Sequence, residues 1–151
     1  MKVGIIGSGG REHAICNSLN KSKFINKIYC FPGNAGTSDI AENVNINIGD
    51  FNKLKKFIIS NEIDLIVVGP EKPLVDGIVD FLEENKIKVF GPNKIASQLE
   101  GSKIFTKKIC EKYNIPTAKF GIFVNKIEAN NFIKKNRYPL VIKADGLASG
   151  K

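Results

Sequence analysis

The sequence has few cysteines and no long apolar run, and both shortages exclude classes of protein. No apolar stretch approaches the roughly 18 residues of a membrane-spanning helix, and the apolar part of the N-terminus is too short for a signal peptide. The three cysteines, Cys16, Cys30 and Cys110, are odd in number, widely spaced and without a C-x-x-C pair. They indicate neither a disulfide framework nor a zinc site, so we expect a cytoplasmic protein.

Arginine is also scarce, although the chain is basic. The formal net charge is +8, from 23 Lys+Arg against 15 Asp+Glu, yet Arg11 and Arg137 are the only arginines. Arginine is the preferred reader of phosphates and guanine edges, and the lysines here are scattered in runs of at most two. We therefore expect no specific nucleic-acid partner, since scattered lysines predict only weak, nonspecific, salt-dependent binding. Acidic and histidine residues show no metal-ligand spacing, so no metal site is predicted.

Strand patterns alternate with helical patterns over about the first hundred of the 151 residues. This alternation predicts an α/β fold with an open parallel sheet and helices on its faces. A further edge strand is expected over Asn43–Ile48, and Asp50 resembles a helix N-cap. The other predicted strands are Lys2–Gly7, Lys27–Phe31, Asp64–Gly69 and Lys88–Phe90; the predicted helices are Arg11–Asn20, one that follows Asp50, and one over residues 74–82.

The regular alternation of strand and helix patterns ends near residue 100. This change predicts one domain over residues 1–100 and the start of a second domain over residues 101–151. Gly101–Tyr113 has a helical pattern with Ser102 as a candidate cap. Strand, helix and strand patterns follow over Lys119–Val124, Lys126–Arg137 and Pro139–Ala144.

The first candidate site is the glycine-rich turn GSGGREHA, residues 7–14, between the first strand and the first helix. Glycines let a backbone approach a ligand, and the free N–H groups of a helix start attract an anion. The turn differs from the dinucleotide fingerprint G-x-G-x-x-G because Glu12 stands at the third glycine position, and no acidic residue ends the second strand. A phosphate site, a bare tight turn and an NAD- or FAD-binding module remain alternatives.

Two further turns follow the next strands, and both contain glycine. PGNAGT (residues 32–37) includes Asn34, and GPEKPL (residues 69–74) includes Glu71, a carboxylate able to accept hydrogen bonds from sugar hydroxyls. The carboxyl ends of parallel strands meet at one sheet edge, where open α/β sheets bind ligands. The three turns are therefore expected to converge on one crevice.

A fourth pattern suits the phosphates of a nucleotide. Lys103 lies in EGSK, and Lys143 lies in VIKADGLASGK, where its neighbours Val141 and Ile142 form an apolar run that predicts a buried strand. Lysines neutralise phosphate charge while the N–H groups of a Gly/Ser loop cradle its oxygens. The loop is not a Walker A motif, because Asp145 stands where that motif needs glycine.

Taken together, GSGGREHA, PGNAGT, VVGPEKPLVDGIVD, FGPNKIASQLEGSK and PLVIKADGLASGK occur in the order typical of one family. Over its whole length the chain resembles the glycinamide ribonucleotide synthetases (phosphoribosylamine–glycine ligases), which are ATP-grasp ligases of de novo purine synthesis. The resemblance implies a Rossmann-like domain before an incomplete ATP-grasp domain. It also implies ATP-driven ligation of glycine to phosphoribosylamine through glycyl phosphate, giving glycinamide ribonucleotide, ADP and phosphate. Another ATP-grasp carboxylate–amine ligase is the related alternative.

The resemblance also implies site residues, though none with an assigned catalytic role. Family members are more than twice as long, and their Mg²⁺ ligands are expected in the C-terminal part that this chain lacks, so we expect the chain alone to be inactive. The residues implied to bind the phosphoribosyl substrate are Gly9, Gly10, Arg11, Asn34 and Glu71. Those implied to contact ATP are Lys103, Lys143, Asp145, Gly146, Ser149, Gly150 and Lys151.

Overall fold

A computed structural model describes residues 1–147 of the chain. It divides into two compact units, Met1–Ser97 and Gln98–Lys151, the second of which is described as far as residue 147. No helix within residues 1–147 is long and apolar enough to cross a lipid bilayer.

The first unit is built on an open, five-stranded sheet in which every pair of neighbouring strands is parallel. The strand order is β3-β2-β1-β4-β5, and in the register Ile5 of β1 lies between Cys30 of β2 and Val67 of β4. This confirms the predicted parallel α/β architecture. The strands are β1 Lys2–Gly7, β2 Lys27–Pro32, β3 Glu42–Asn43, β4 Leu65–Val68 and β5 Val89–Phe90.

Helices cover both faces of this sheet, because successive strand side chains point to opposite faces and both sets are apolar. Val3 and Ile5 of β1 pack with Cys16 of α1, whereas Ile6 belongs to a larger cluster that includes Leu54 of α2. Helices α1 Gly10–Asn20, α2 Phe51–Ser60, α3 Glu71–Asp76 and α4 Ile78–Glu84 belong to this unit, and α5 spans Lys94–Gly101.

Two predicted elements of the first unit are corrected by the structure. The edge strand expected over Asn43–Ile48 is only Glu42–Asn43, because the chain turns at Val44 and buries Ile46 in the core. The helix expected over residues 74–82 is two helices, α3 and α4. Gly77 separates them in a left-handed conformation (φ +97°), while its N–H still bonds back to the last turn of α3.

The described part of the second unit contains α6 Lys103–Lys112 and α7 Lys126–Lys135. The predicted cap is confirmed, since Ser102 Oγ accepts the Phe105 N–H at 3.1 Å. The strands expected over Lys119–Val124 and Pro139–Ala144 are wrong for the described residues, where neither segment pairs with another strand. A strand is stabilised by its neighbours, and apolar pattern alone does not supply one.

Candidate functional site

The three glycine-containing turns of the first unit meet at one edge of its sheet. Gly33 N–H donates to the Gly7 carbonyl at 3.1 Å, and Gly69 N–H donates to the Ile6 carbonyl at 3.0 Å, so the turns after β2 and β4 both join the end of β1. In the strand order, the chain leaves β1 toward β2 on one side, while β4 flanks β1 on the other. Open α/β sheets bind ligands at such a reversal of strand order.

Asn34 fixes the shape of the first turn. Its side-chain amide donates to the Ser8 carbonyl at 2.9 Å and to the Gly9 carbonyl at 3.2 Å. Its own loop is held by Thr37, which is fully buried and whose N–H donates to Asn34 Oδ1 at 3.0 Å. The structure thus places Asn34 beside Gly9, where its side chain links the turn after β2 to the turn after β1.

Arg11 and Glu71 form the exposed rim of this edge. Arg11 Nη2 lies 2.8 Å from Glu71 Oε1. A hydrogen bond from the backbone N–H of Glu71 and the guanidinium of Arg11 hold the pKa of the Glu71 carboxyl below its usual range. Gly10 begins α1 beside them, and a Cβ built on it meets no atom within 4 Å, so this side of the helix start is open.

Glu12 is the residue of this edge that the sequence analysis did not single out as a site residue. It is 3% exposed, and its Oε2 accepts the Gly9 N–H at 2.6 Å, as a carboxylate at the third helical position does in a capping box. A Cβ on Gly7 would stand 2.5 Å from Glu12 Cγ, and one on Gly69 would overlap Oε1. Glu12 therefore fits at the position where the dinucleotide fingerprint has its third glycine, because Gly7 at the end of β1 and Gly69 after β4 leave space for its side chain. The signal available in the sequence was an acid three positions after a candidate N-cap glycine.

The second unit brings three of the predicted ATP-contacting residues together. Lys103 Nζ donates to the Gly146 carbonyl at 2.6 Å. Asp145 Oδ1 accepts the Ile104 N–H at 3.2 Å, and the Ser102 hydroxyl donates to both Asp145 oxygens at 3.1–3.2 Å. These hydrogen bonds, that of the Ile104 N–H first, lower the pKa of the Asp145 carboxyl. The start of α6 and the turn at Gly146 (φ +93°) are thus tied at two points.

Lys143 is exposed, and the structure does not place it in this cluster. The buried strand expected around it is wrong, since Val141 and Ile142 are 80% and 81% exposed in the described chain. The remaining predicted ATP-contacting residues, Ser149, Gly150 and Lys151, lie outside the described residues. Within residues 1–147, no group of three His, Cys, Asp or Glu side chains could hold a metal ion.

Comparison with solved structures identifies the class of fold. N5-carboxyaminoimidazole synthetase from Staphylococcus aureus, complexed with ADP, superposes with a TM-score of 0.78 at 19% identity, over 97% of this chain and 39% of that one. Phosphoribosylamine–glycine ligase from Thermotoga maritima gives a TM-score of 0.79 at 40% identity, over 100% of this chain and 34% of that one. The chain therefore has the α/β domain that precedes an ATP-grasp domain in these enzymes, followed by the first part of the ATP-grasp domain itself.

Sequence comparisons identify the family within that class. Residues 1–100 match the phosphoribosylglycinamide synthetase N domain, and residues 101–151 match the ATP-grasp (A) domain of the same synthetase. The chain belongs to the phosphoribosylglycinamide synthetase family, which confirms the predicted resemblance. Phosphoribosylamine–glycine ligases from Caldanaerobacter subterraneus and Clostridium acetobutylicum are 54% and 50% identical over all 151 residues. The chain spans 36% of the length of each of these relatives.

Proposed function

We propose that this chain is the N-terminal part of a phosphoribosylamine–glycine ligase. In the proposed reaction ATP phosphorylates the glycine carboxylate, and the phosphoribosylamine nitrogen displaces phosphate to give glycinamide ribonucleotide, ADP and phosphate. The observation that carries the proposal is the 54% identity to a ligase of that name over every residue of the chain. Two domain matches to one synthetase, in consecutive order, support it. The proposed location is the cytoplasm.

Residues 1–100 are proposed to bind the phosphoribosyl substrate through Gly9, Gly10, Arg11, Asn34 and Glu71. The rim of the strand-end crevice has the chemistry for this ligand. The guanidinium of Arg11, 66% exposed, is a bidentate donor suited to a phosphate, and the Glu71 carboxylate is an acceptor suited to sugar hydroxyls. These two groups contact each other in the structure, so substrate binding would exchange their mutual contact for contacts to the ligand.

Residues 101–151 are proposed to contribute to the ATP site through Lys103, Lys143 and the loop Asp145–Lys151. ATP supplies the phosphoryl group when bound. Lys103 fits this role because its ammonium already lies on the backbone of the loop, at the Gly146 carbonyl, where it can offset phosphate charge. Asp145 fits the role of a loop anchor, since its oxygens accept hydrogen bonds from Ser102 and Ile104.

Mg²⁺ is proposed to be held by residues in the part of the family's chain that follows this match. Phosphoryl transfer needs metal and opposing positive groups to stabilise the charge that develops on the transferred phosphoryl group. We therefore propose that the 151-residue chain does not catalyse the reaction by itself.

The proposal can be tested with a chimaera in which this chain replaces the first 151 matched residues of the Caldanaerobacter subterraneus ligase. We expect ADP formation from the chimaera that requires both glycine and phosphoribosylamine, and none from the 151-residue chain. The intact relative is the control for the assay. A folded chimaera that hydrolyses ATP only with a different carboxylate or amine would favour another ATP-grasp ligase, and activity from the 151-residue chain would contradict its proposed dependence on the rest of the enzyme.

A further inference from the structure

The buried hydroxyl of Thr37 is the centre of a hydrogen-bond network that joins the turn after β2 to the edge strand β3. Thr37 is fully buried, and its Oγ1 accepts the backbone N–H of Asn34 at 2.7 Å. The same hydroxyl lies 2.7 Å from Asn43 Oδ1 and 2.9 Å from the Asn34 carbonyl, and it can donate its single hydrogen to either oxygen. Asn43 Nδ2 donates to the Asn34 carbonyl at 2.7 Å, which closes the network.

Filling the buried space at position 37 does not require a hydroxyl. Valine has nearly the shape of threonine, and a buried hydroxyl costs free energy unless it is hydrogen-bonded. The oxygens and the nitrogen that bond to the Thr37 hydroxyl belong to Asn34 and Asn43. The hydroxyl therefore sets the conformation of the turn after β2 relative to β3.

The turn packs so closely on this network that no side chain fits between them. A Cβ built on Gly33 would overlap Asn43 Oδ1 and stand 2.8 Å from Thr37 Oγ1, and Gly33 has a positive φ (+76°). Asn43 has a fixed place of its own, because it lies on β3 in register with Cys30 of β2. The edge of the sheet thus determines where the turn after β2 lies.

Asn34 passes this constraint on to the glycine-rich turn after β1. Its Oδ1 accepts the Thr37 N–H at 3.0 Å, while its Nδ2 donates to the carbonyls of Ser8 and Gly9 at 2.9 and 3.2 Å. The glycine-rich turn follows β1, at the reversal of strand order where open α/β sheets bind ligands. A displacement of about 1 Å in groups that hold a substrate is enough to weaken their action on it.

We propose that Thr37 and Asn43 are positioning residues for the phosphoribosyl substrate. They act without touching the ligand, because they hold Asn34 and, through its amide, the backbone at Ser8 and Gly9. The inference rests on the proposed function, since it takes residues 1–100 to bind that substrate. It adds two residues that lie behind the crevice to those proposed to line it.

A matched pair of variants in the chimaera described above tests this proposal. Thr37→Val keeps the side-chain shape and removes the hydroxyl, whereas Thr37→Ser keeps the hydroxyl. We expect T37V to raise the KM for phosphoribosylamine about three- to tenfold, with the KM values for ATP and glycine unchanged and T37S close to wild type. Ser97→Ala controls for the loss of a buried hydroxyl elsewhere in the unit, since Ser97 Oγ donates to the Asn93 carbonyl at 2.7 Å.

The KM values separate positioning from a purely structural role. Loss of folded enzyme would lower the rate at saturation and leave every KM unchanged, and that result for T37V would overturn the inference. An equal rise in the KM values of all three substrates would also overturn it.

Two further outcomes are decisive. If T37V does not fold, Asn43→Ala at its exposed position replaces it: a raised KM for phosphoribosylamine alone would support the inference, and an unchanged one would overturn it. A wild-type chimaera without activity that depends on glycine and phosphoribosylamine would overturn the proposed function and this inference with it. An active chimaera in which T37V leaves the KM for phosphoribosylamine unchanged would overturn the inference alone.

Discussion

Arg11 and Glu71 form an ion pair, with 2.8 Å between Nη2 and Oε1, that joins the first turn of α1 to the first residue of α3. The two side chains are 66% and 37% exposed, so water screens the pair and its contribution to stability is small. Its consequence is positional. Two groups 60 positions apart in the sequence lie side by side on one rim, so a ligand bound to one of them would also be within reach of the other.

Replacement of Glu71 by Gln should change the free energy of unfolding at pH 7 by less than about 1 kcal/mol. The lowered pKa of Glu71 stabilises the folded state above the ordinary value of 4.5, and this stabilisation is lost as the pH falls through the folded pKa. The difference between wild type and E71Q should therefore shrink below pH 4.5. Urea unfolding at a series of pH values measures it, with D76N, which breaks the exposed pair to Lys72 within α3, as control. A difference independent of pH would contradict the role of this carboxylate.

Gly4 lets β1 pack closely against two core side chains. A Cβ built there would stand 2.6 Å from Ile66 Cδ1 and 2.9 Å from Phe31 Cε2. We expect Gly4→Ala to lower the free energy of unfolding by about 1–3 kcal/mol, as overpacking of a core does. Gly10→Ala is the matched control, because its Cβ meets no atom within 4 Å. If urea unfolding shows the two variants to be equally stable, the packing argument for Gly4 is wrong.

Cys16 and Cys30 should resist thiol reagents in the folded chain. Both are buried with their sulfurs 3.0 Å apart, and burial raises the pKa of Cys16 and raises that of Cys30 to about 12. The thiolate is the reactive form, so little of it exists at pH 8. Cys110, which is partly exposed, should react first. Titration with a chromogenic disulfide should give one fast thiol in buffer and three in denaturant; three fast thiols in buffer would contradict the buried pair.

Much of the first unit could be predicted because its signals are local. The apolar runs that became β1 and β4 are buried by the helices around them, and Asp50 caps α2 by accepting the Lys53 N–H at 2.9 Å. The division at Gly77 could not be predicted from the apolar stripe, since Ile78 and Leu82 face the same core whether or not the helix is continuous.

The features that were not predicted correctly depend on contacts between residues far apart in the sequence, which a local sequence pattern does not contain. Val124, Val141 and Ile142 have strand-like neighbours in sequence, but no described strand lies beside them, so they remain exposed. In the sequence, Glu12 is only a departure from the dinucleotide fingerprint. Its burial depends on Gly69, which reaches it through the pairing of β1 with β4 and not through sequence proximity.

Asp145 should anchor the glycine-containing loop to the start of α6. We expect Asp145→Ala to speed amide hydrogen exchange at Ile104, because that N–H loses its acceptor. Asp145→Asn, which keeps a carbonyl oxygen, should have a smaller effect. The lowered pKa of Asp145 means that the anchor is present above the ordinary value of 3.8 and weakens as the pH falls through the folded pKa. Exchange at Ile104 that is the same in all three proteins would show that the carboxylate does not hold the loop.

In the active chimaera, substitutions in the proposed ATP site and in the proposed phosphoribosylamine site should change different kinetic constants. Lys143→Ala removes a cation proposed to contact ATP, so it should raise the KM for ATP and leave that for phosphoribosylamine nearly unchanged. Glu71→Ala removes an acceptor proposed for the sugar and should do the reverse. Lys72→Ala, which changes an exposed lysine paired within α3, is the control for loss of surface charge. If Lys143→Ala and Glu71→Ala alter the same constant by the same factor, the division of roles between residues 1–100 and 101–151 is wrong, because each unit would then act on both ligands.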